Sequence, residues 1–221
     1  MRIRSRGVLS AAGRTSIRIW LRAAGADELS VRNDAVVQYG HLADRVEWPE
    51  VPALRLHLAL SVLPGAAVYH ALREQGRSED EAAGLVTDAL MAMARPRGRV
   101  IGALSRSTRG GALFMRAAGG GLRAFPAPGW QATWVERGPG RVAFDMSRCF
   151  DLDMLRRLDA EPIAPAYCAV DDVLYSQLDP RLRFRRSVTL ATGGDCCDFC
   201  FERTDLLPGG RTALLSDLSD S

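Results

Sequence analysis

Trp130-Gln131-Ala132-Thr133-Trp134-Val135-Glu136-Arg137-Gly138-Pro139-Gly140-Arg141-Val142-Ala143-Phe144-Asp145 is where the chain changes period. Upstream, apolar residues recur about every three and a half positions. Here the period drops to two, the spacing of a pleated strand. Gln131 to Glu136 and Arg141 to Asp145 read as short strands, and Arg137-Gly138-Pro139-Gly140 reads as the hairpin loop between them.

Downstream, helical spacing returns over Asp151–Leu158 and Pro165–Leu178. A second hairpin follows, made of Leu182–Leu190, a Thr192-Gly193-Gly194 turn and Cys197–Arg203. Upstream, the leucine-rich run from Pro52 to Leu72 predicts a helix with a kink or restart at Pro64, because proline lacks an N–H and its ring clashes with the preceding turn. Ser78-Glu79-Asp80-Glu81 is a capping box: the serine accepts from the backbone three residues on while Glu81 reaches back. A helix starts there, carries Leu85, Val86, Ala89, Leu90 and Met93 at helical spacing, and is expected to end at Pro96 to Gly98. Val100 to Met115 continues apolar and arginine-rich, and Gly119-Gly120-Gly121 closes the helical half.

Helices first and hairpins later predict an α+β fold: an N-terminal helical half packed on a C-terminal antiparallel sheet of about four strands, with inserted helices. Residues 1–50 read as a weakly patterned extension, 51–205 as a single α+β domain, and 206–221 as a flexible tail rich in Gly, Ser and Asp.

Composition narrows the function. The chain has 47% hydrophobic and 25% charged residues, ordinary for a globular protein. A net charge of +3 is too mild for a phosphate-binding face, so nucleic acid is not an expected partner. Every Lys/Arg position is arginine, which excludes a Walker lysine, a lysine Schiff base and a lysine general base. Leu56 to Leu72 contains two histidines and a Pro-Gly pair and is too short for a membrane span. The five cysteines are odd in number, confined to the last third and not preceded by a secretory signal, so reduced thiols in a cytoplasmic protein are expected.

Those cysteines set the candidate site. Cys168, Asp171 and Asp172 stand at i, i+3 and i+4, so on a helix a thiol shares a face with two carboxylates. A carboxylate raises a neighbouring thiol's pKa unless a cation balances it, and Arg185 or Arg186 is the cation at hand. The same spacing also fits a packed cysteine beside two surface aspartates. On the final strand Cys197, Phe199 and Phe201 share one face, expected to be core or pocket lining. Cys196, Asp198, Cys200 and Glu202 share the other, where Asp198 must meet solvent or satisfy a backbone turn. Cys197-Asp198-Phe199-Cys200 is formally a CxxC, but an extended strand sends its sulfurs to opposite sides, so no metal ligands are expected. His41, His57 and His70 lie far upstream.

Leu63-Pro64, Tyr69-His70-Ala71-Leu72-Arg73-Glu74, Ser78 to Ala82, Cys149, Cys168-Ala169-Val170-Asp171, Phe184-Arg185-Arg186, Thr189-Leu190, Gly194 and Cys197-Asp198-Phe199-Cys200-Phe201 together resemble the L-2-amino-thiazoline-4-carboxylic acid hydrolase family over residues 55 to 203. The resemblance implies hydrolysis of a carbon–nitrogen bond in a small cyclic amidine, with no cofactor and a small-molecule substrate as partner, possible roles in specialised metabolism included. On that reading Cys168 or Cys197 is the nucleophile, or a water attacks directly, and Asp171 is the acid/base. Arg186 grips a substrate carboxylate, while Asp198, Cys149, His70 and Tyr69 line the pocket. The alternative is a non-catalytic small-ligand or metal-binding module that uses the same cysteine-lined pocket. Extra thiols at Cys196 and Cys200 depart from the family's pattern.

Overall fold

The computed structural model describes residues 2–26 and 29–206. Of the expected tail only Leu206 falls within them. Two compact units share the chain: Met1–Arg95 with Cys149–Asp171, and Pro96–Arg148 with Asp172–Ser221.

The first unit is helical. It holds α1 (Arg2–Ala23), α2 (Leu29–Arg45), α3 (Pro52–His57), a π-helical turn (Leu58–Val62), α4 (Leu63–Glu74), the start of α5 (Glu79–Ser105), α7 (Phe150–Arg157) and most of α8 (Ala164–Tyr175). The centre is α4, in which every residue from Leu63 to Tyr69, then Ala71 and Leu72, is buried. A helix apolar all round needs neighbours on several sides. α1 and α2 both pack on α4. They do so through Ile17, Trp20 and Leu21, and through Val31, Ala35, Tyr39 and Leu42, buried residues at helical spacing. The capping box forms as its residue types dictate: the Ser78 N–H donates to Glu81 at 2.8 Å and the Glu81 N–H to Ser78 Oγ at 3.2 Å.

Of the expected kink or restart at Pro64, the restart forms: α4 begins at Leu63 with the proline in its first turn. The widened turn Leu58–Val62 directly precedes α4. The expected end of α5 at Pro96 to Gly98 is corrected, since the helix runs on to Ser105. Tertiary packing holds it past the proline. A Cβ on Gly98 would lie 2.7 Å from Val173 O and one on Gly102 2.3 Å from Gln177 O, so the two glycines let the backbone beyond Pro96 lie directly against residues 173–177. That contact offsets the one hydrogen bond that proline removes.

The second unit is built on a four-stranded antiparallel sheet in the order β1-β2-β4-β3: β1 (Gln131–Arg137), β2 (Arg141–Arg148), β3 (Leu182–Arg185) and β4 (Cys197–Arg203). The α+β expectation and the strand count hold. β1 carries an irregularity between Trp134 and Glu136, which turns Val135 outward to 60% exposure. One face is aromatic. Phe144 and Phe199 stack at 4.9 Å, Phe184 and Phe201 lie 5.1 Å apart, and Tyr175 meets Phe201 edge-on at 5.0 Å. Phe114, on α6 (Gly110–Ala118), adds a further edge-on contact to Phe201 at 5.5 Å. These pairs make the hydrophobic floor of the sheet.

Candidate functional site

The residues with the strongest chemistry meet in the helical unit, around the π turn. His57 is the last residue of α3, immediately before that turn, and Asp151 lies in the first turn of α7. His57 Nε2 and Asp151 Oδ1 are 2.6 Å apart, with side chains 36% and 18% exposed, so the pair is close, partly desolvated and still open to solvent. The ring of Phe150 lies 6.1 Å from the imidazole. Burial alone would lower the His57 pKa, but the hydrogen bond to Asp151 and its negative charge outweigh burial and raise it. Imidazole oriented by a carboxylate is a general acid–base unit whose proton affinity can be tuned about neutral pH.

Two more groups sense the Asp151 charge. Cys149 is the N-cap of α7, and its thiol is pushed up to about 12, first by burial and then by Asp151, against the opposing pull of the Leu152 and Asp151 N–H groups. At neutral pH it is a protonated thiol, not a thiolate. Tyr167, on α8, is raised well above the usual phenol range, chiefly by burial and then by Asp151, and its hydroxyl donates to Ser61 O at 3.0 Å.

The expected site residues divide between the two units. Cys168 and Asp171 lie three positions apart on α8 in the helical unit, beside Tyr167 in sequence. Cys149, His70 and Tyr69 are in that unit too. His70 Nε2 donates to Leu158 O at 2.8 Å, tying α4 to the end of α7. Tyr69 packs edge-on against His70 at 5.4 Å, with its hydroxyl 3.5 Å from Glu79.

Cys197, Asp198 and Arg186 belong to the sheet unit. Cys197 is buried on the aromatic face, its sulfur accepting the Leu190 N–H at 3.2 Å. Asp198 satisfies a turn, the second of its two expected outcomes. It accepts from the Ser187 N–H at 2.9 Å, the Ser187 hydroxyl at 2.5 Å and the Val188 N–H at 2.8 Å, which fixes the chain between β3 and β4. Those donors hold its carboxyl below the usual range against the opposing effect of burial. The Arg186 guanidinium is 5% exposed, pairs with Asp172 at 3.0 Å and lies over the rings of Phe199 and Phe184 at 5.4 and 5.8 Å.

A separate cleft of about 330 Å³ in the sheet unit is lined by Arg116, Arg137 and Arg203 over Met115 and Val142, and includes none of the expected site residues. Among the described residues no group of three or more His, Cys, Asp or Glu is placed to hold a metal ion, and no helix is long and apolar enough to cross a membrane.

His57 and Asp151 are the pair that motif reading passed over. They are 94 positions apart, and neither sits in a recognisable signature. The nearest local signal is the Pro64 that marks the turn beside His57.

A family model described as L-2-amino-thiazoline-4-carboxylic acid hydrolase matches residues 55–201, a span that includes His57, Cys149, Asp151, Cys168 and Cys197. The chain belongs to this hydrolase family. No curated protein and no solved structure matches it.

Proposed function

We propose that the protein hydrolyses a carbon–nitrogen bond in a small cyclic amidine of the 2-amino-thiazoline-4-carboxylate type, with His57 and Asp151 as the acid–base pair. The observation that carries this reading is the 2.6 Å contact between a partly exposed imidazole and a carboxylate inside the family's matched span. An amidine carbon is electrophilic and becomes more so when its nitrogen is protonated. Neutral His57 takes a proton from the attacking water, whose oxygen bonds to the amidine carbon. The imidazolium then returns that proton to the departing ring nitrogen as the carbon–nitrogen bond breaks, and the added hydroxyl releases its remaining proton to solvent as it becomes the carbonyl. Asp151 holds the imidazole in one orientation and stabilises its charged form.

A thiol route is the second form of the same chemistry: the Cys168 sulfur bonds to the amidine carbon as the ring carbon–nitrogen bond breaks and its nitrogen takes the thiol proton, and water then adds at that carbon and expels the thiol to leave the carbonyl. Cys149 fits a thiolate role poorly, because its pKa of about 12 leaves it protonated. It serves better as a packed N-cap.

The test is turnover of L-2-amino-thiazoline-4-carboxylate by the wild type, His57→Ala, Asp151→Asn, Cys168→Ser and Cys149→Ala. Loss of about 100-fold or more in the first two, the usual worth of a general acid–base group, supports the reading. Loss in Cys168→Ser as well selects the thiol route, and retention there selects direct attack by water. Full activity without His57 would remove the proposed mechanism.

A further inference from the structure

We infer that Tyr39 and Tyr167 are positioning residues for the His57–Asp151 pair, acting through the π turn that follows His57. The inference rests on reading that pair as the acid–base unit. The π turn leaves a specific carbonyl without its helical partner. The Leu63 N–H bonds back five residues to Leu58 O, so it is not the donor that would serve Ala59 O in an α-helix. The residue five on from Ala59 is Pro64, which has no N–H. Ala59 is fully buried, and an unpaired carbonyl there is costly. Its partner comes from outside the helix: the Tyr39 hydroxyl, on α2, donates to Ala59 O at 3.1 Å. Two residues on, the Tyr167 hydroxyl donates to Ser61 O at 3.0 Å.

Both hydroxyls reach the turn through space that glycine leaves open. A Cβ on Gly13 would lie 2.0 Å from the Tyr39 oxygen and 2.6 Å from Ala59 O, and a Cβ on Gly65 would lie 2.3 Å from the Tyr167 oxygen. Two tyrosines from two helices, each with a glycine opposite, thus grip two carbonyls within one widened turn. The position of such a turn along a helix sets the rotation of everything beside it, because a shift of one residue rotates a side chain by about 100°. His57 is the residue adjacent to the turn, and a rotation of that size breaks a 2.6 Å contact with Asp151. Asp151 is the carboxylate hydrogen-bonded to His57, and its charge also bears on Cys149 and Tyr167. Tyr167 therefore touches both the turn and the surroundings of the carboxylate.

The test follows the His57 ring by NMR titration in wild type, Tyr39→Phe, Tyr167→Phe and Gly65→Ala, with kcat and KM for 2-amino-thiazoline-4-carboxylate measured on the same samples. The chain has three histidines, which keeps assignment simple. Each variant preserves or adds apolar bulk while removing or displacing one hydroxyl. The expected result is a His57 titration moved down toward free imidazole, the acid limb of kcat/KM moving with it, and kcat reduced at least tenfold with KM little changed. His57 titrations unchanged in folded Tyr167→Phe and Gly65→Ala would overturn the inference, whatever Tyr39→Phe does. A wild type that opens no ring while its His57 titration still moves in the variants would refute the catalytic reading and leave the positioning role standing.

Discussion

Asp151 reverses what burial does to His57. Desolvation favours the neutral ring, yet the adjacent carboxylate leaves the imidazole pKa above its ordinary value. The consequence for stability has a definite sign. A raised folded pKa gives stabilisation that is fully present below the unfolded value near 6.5 and is lost as pH rises through the folded value. Urea titrations should therefore show Asp151→Asn less stable than wild type at pH 5 to 6, with the gap narrowing by pH 9. The pH dependence of activity has its own sign: His57 must be neutral to accept a proton, so kcat/KM rises through the raised pKa, and Asp151→Asn moves that limb to lower pH while lowering the plateau. Asp179 is the opposite case. Arg181 grips both its oxygens at 2.9 Å, and that hydrogen bonding, over the opposing effect of burial, holds its pKa down to about 2. Its contribution is complete above about 3.9 and is lost as pH falls through about 2, so Asp179→Asn should cost about 1–3 kcal/mol at pH 7, with the gap shrinking as pH falls through that value in denaturant melts. Cys149, protonated up to about 12, should resist alkylation by iodoacetamide at pH 8 in the folded protein and react once it is unfolded. At this scale the sequence was a partial guide. Asp198 was legible because a carboxylate on the outer face of a strand beside a Gly-Gly turn needs donors, and Ser187 and Val188 supply them. The His57–Asp151 contact was not legible, since no local periodicity relates residues in different helices.

Elements were legible where one stretch of chain decides them. Ser78 and Glu81 make the predicted reciprocal cap at the start of α5, and Ser78→Ala should lower stability by about 1 kcal/mol, read as a drop in Tm. The Trp130–Asp145 stretch gave the β1–β2 hairpin because alternation and turn composition agree there, although β2 runs on to Arg148. Elements were misread where distant chain decides them. Pro96 would end an isolated helix, but Gly98 and Gly102 lie directly against the backbone of residues 173–177, and α5 continues. At Pro64 the sequence identified the place of a helix restart and missed the π turn before it, where Tyr39 serves the carbonyl that Pro64 cannot.

For the whole molecule, the change of period at Trp130 was enough to predict an α+β protein with a four-stranded antiparallel sheet. The boundaries between the two compact units fall inside α5 and α8, where helical patterning runs on without a break. The hydrolase family was anticipated as a resemblance of motifs between residues 55 and 203, and the family match reaches into both units. The most direct test of the acid–base reading is the pH profile of L-2-amino-thiazoline-4-carboxylate hydrolysis by wild type and His57→Ala. The account predicts a wild-type profile that rises through a single ionisation above the ordinary imidazole value, and a variant at least 100-fold slower that lacks that limb. A His57→Ala protein with wild-type turnover and the same profile would contradict it.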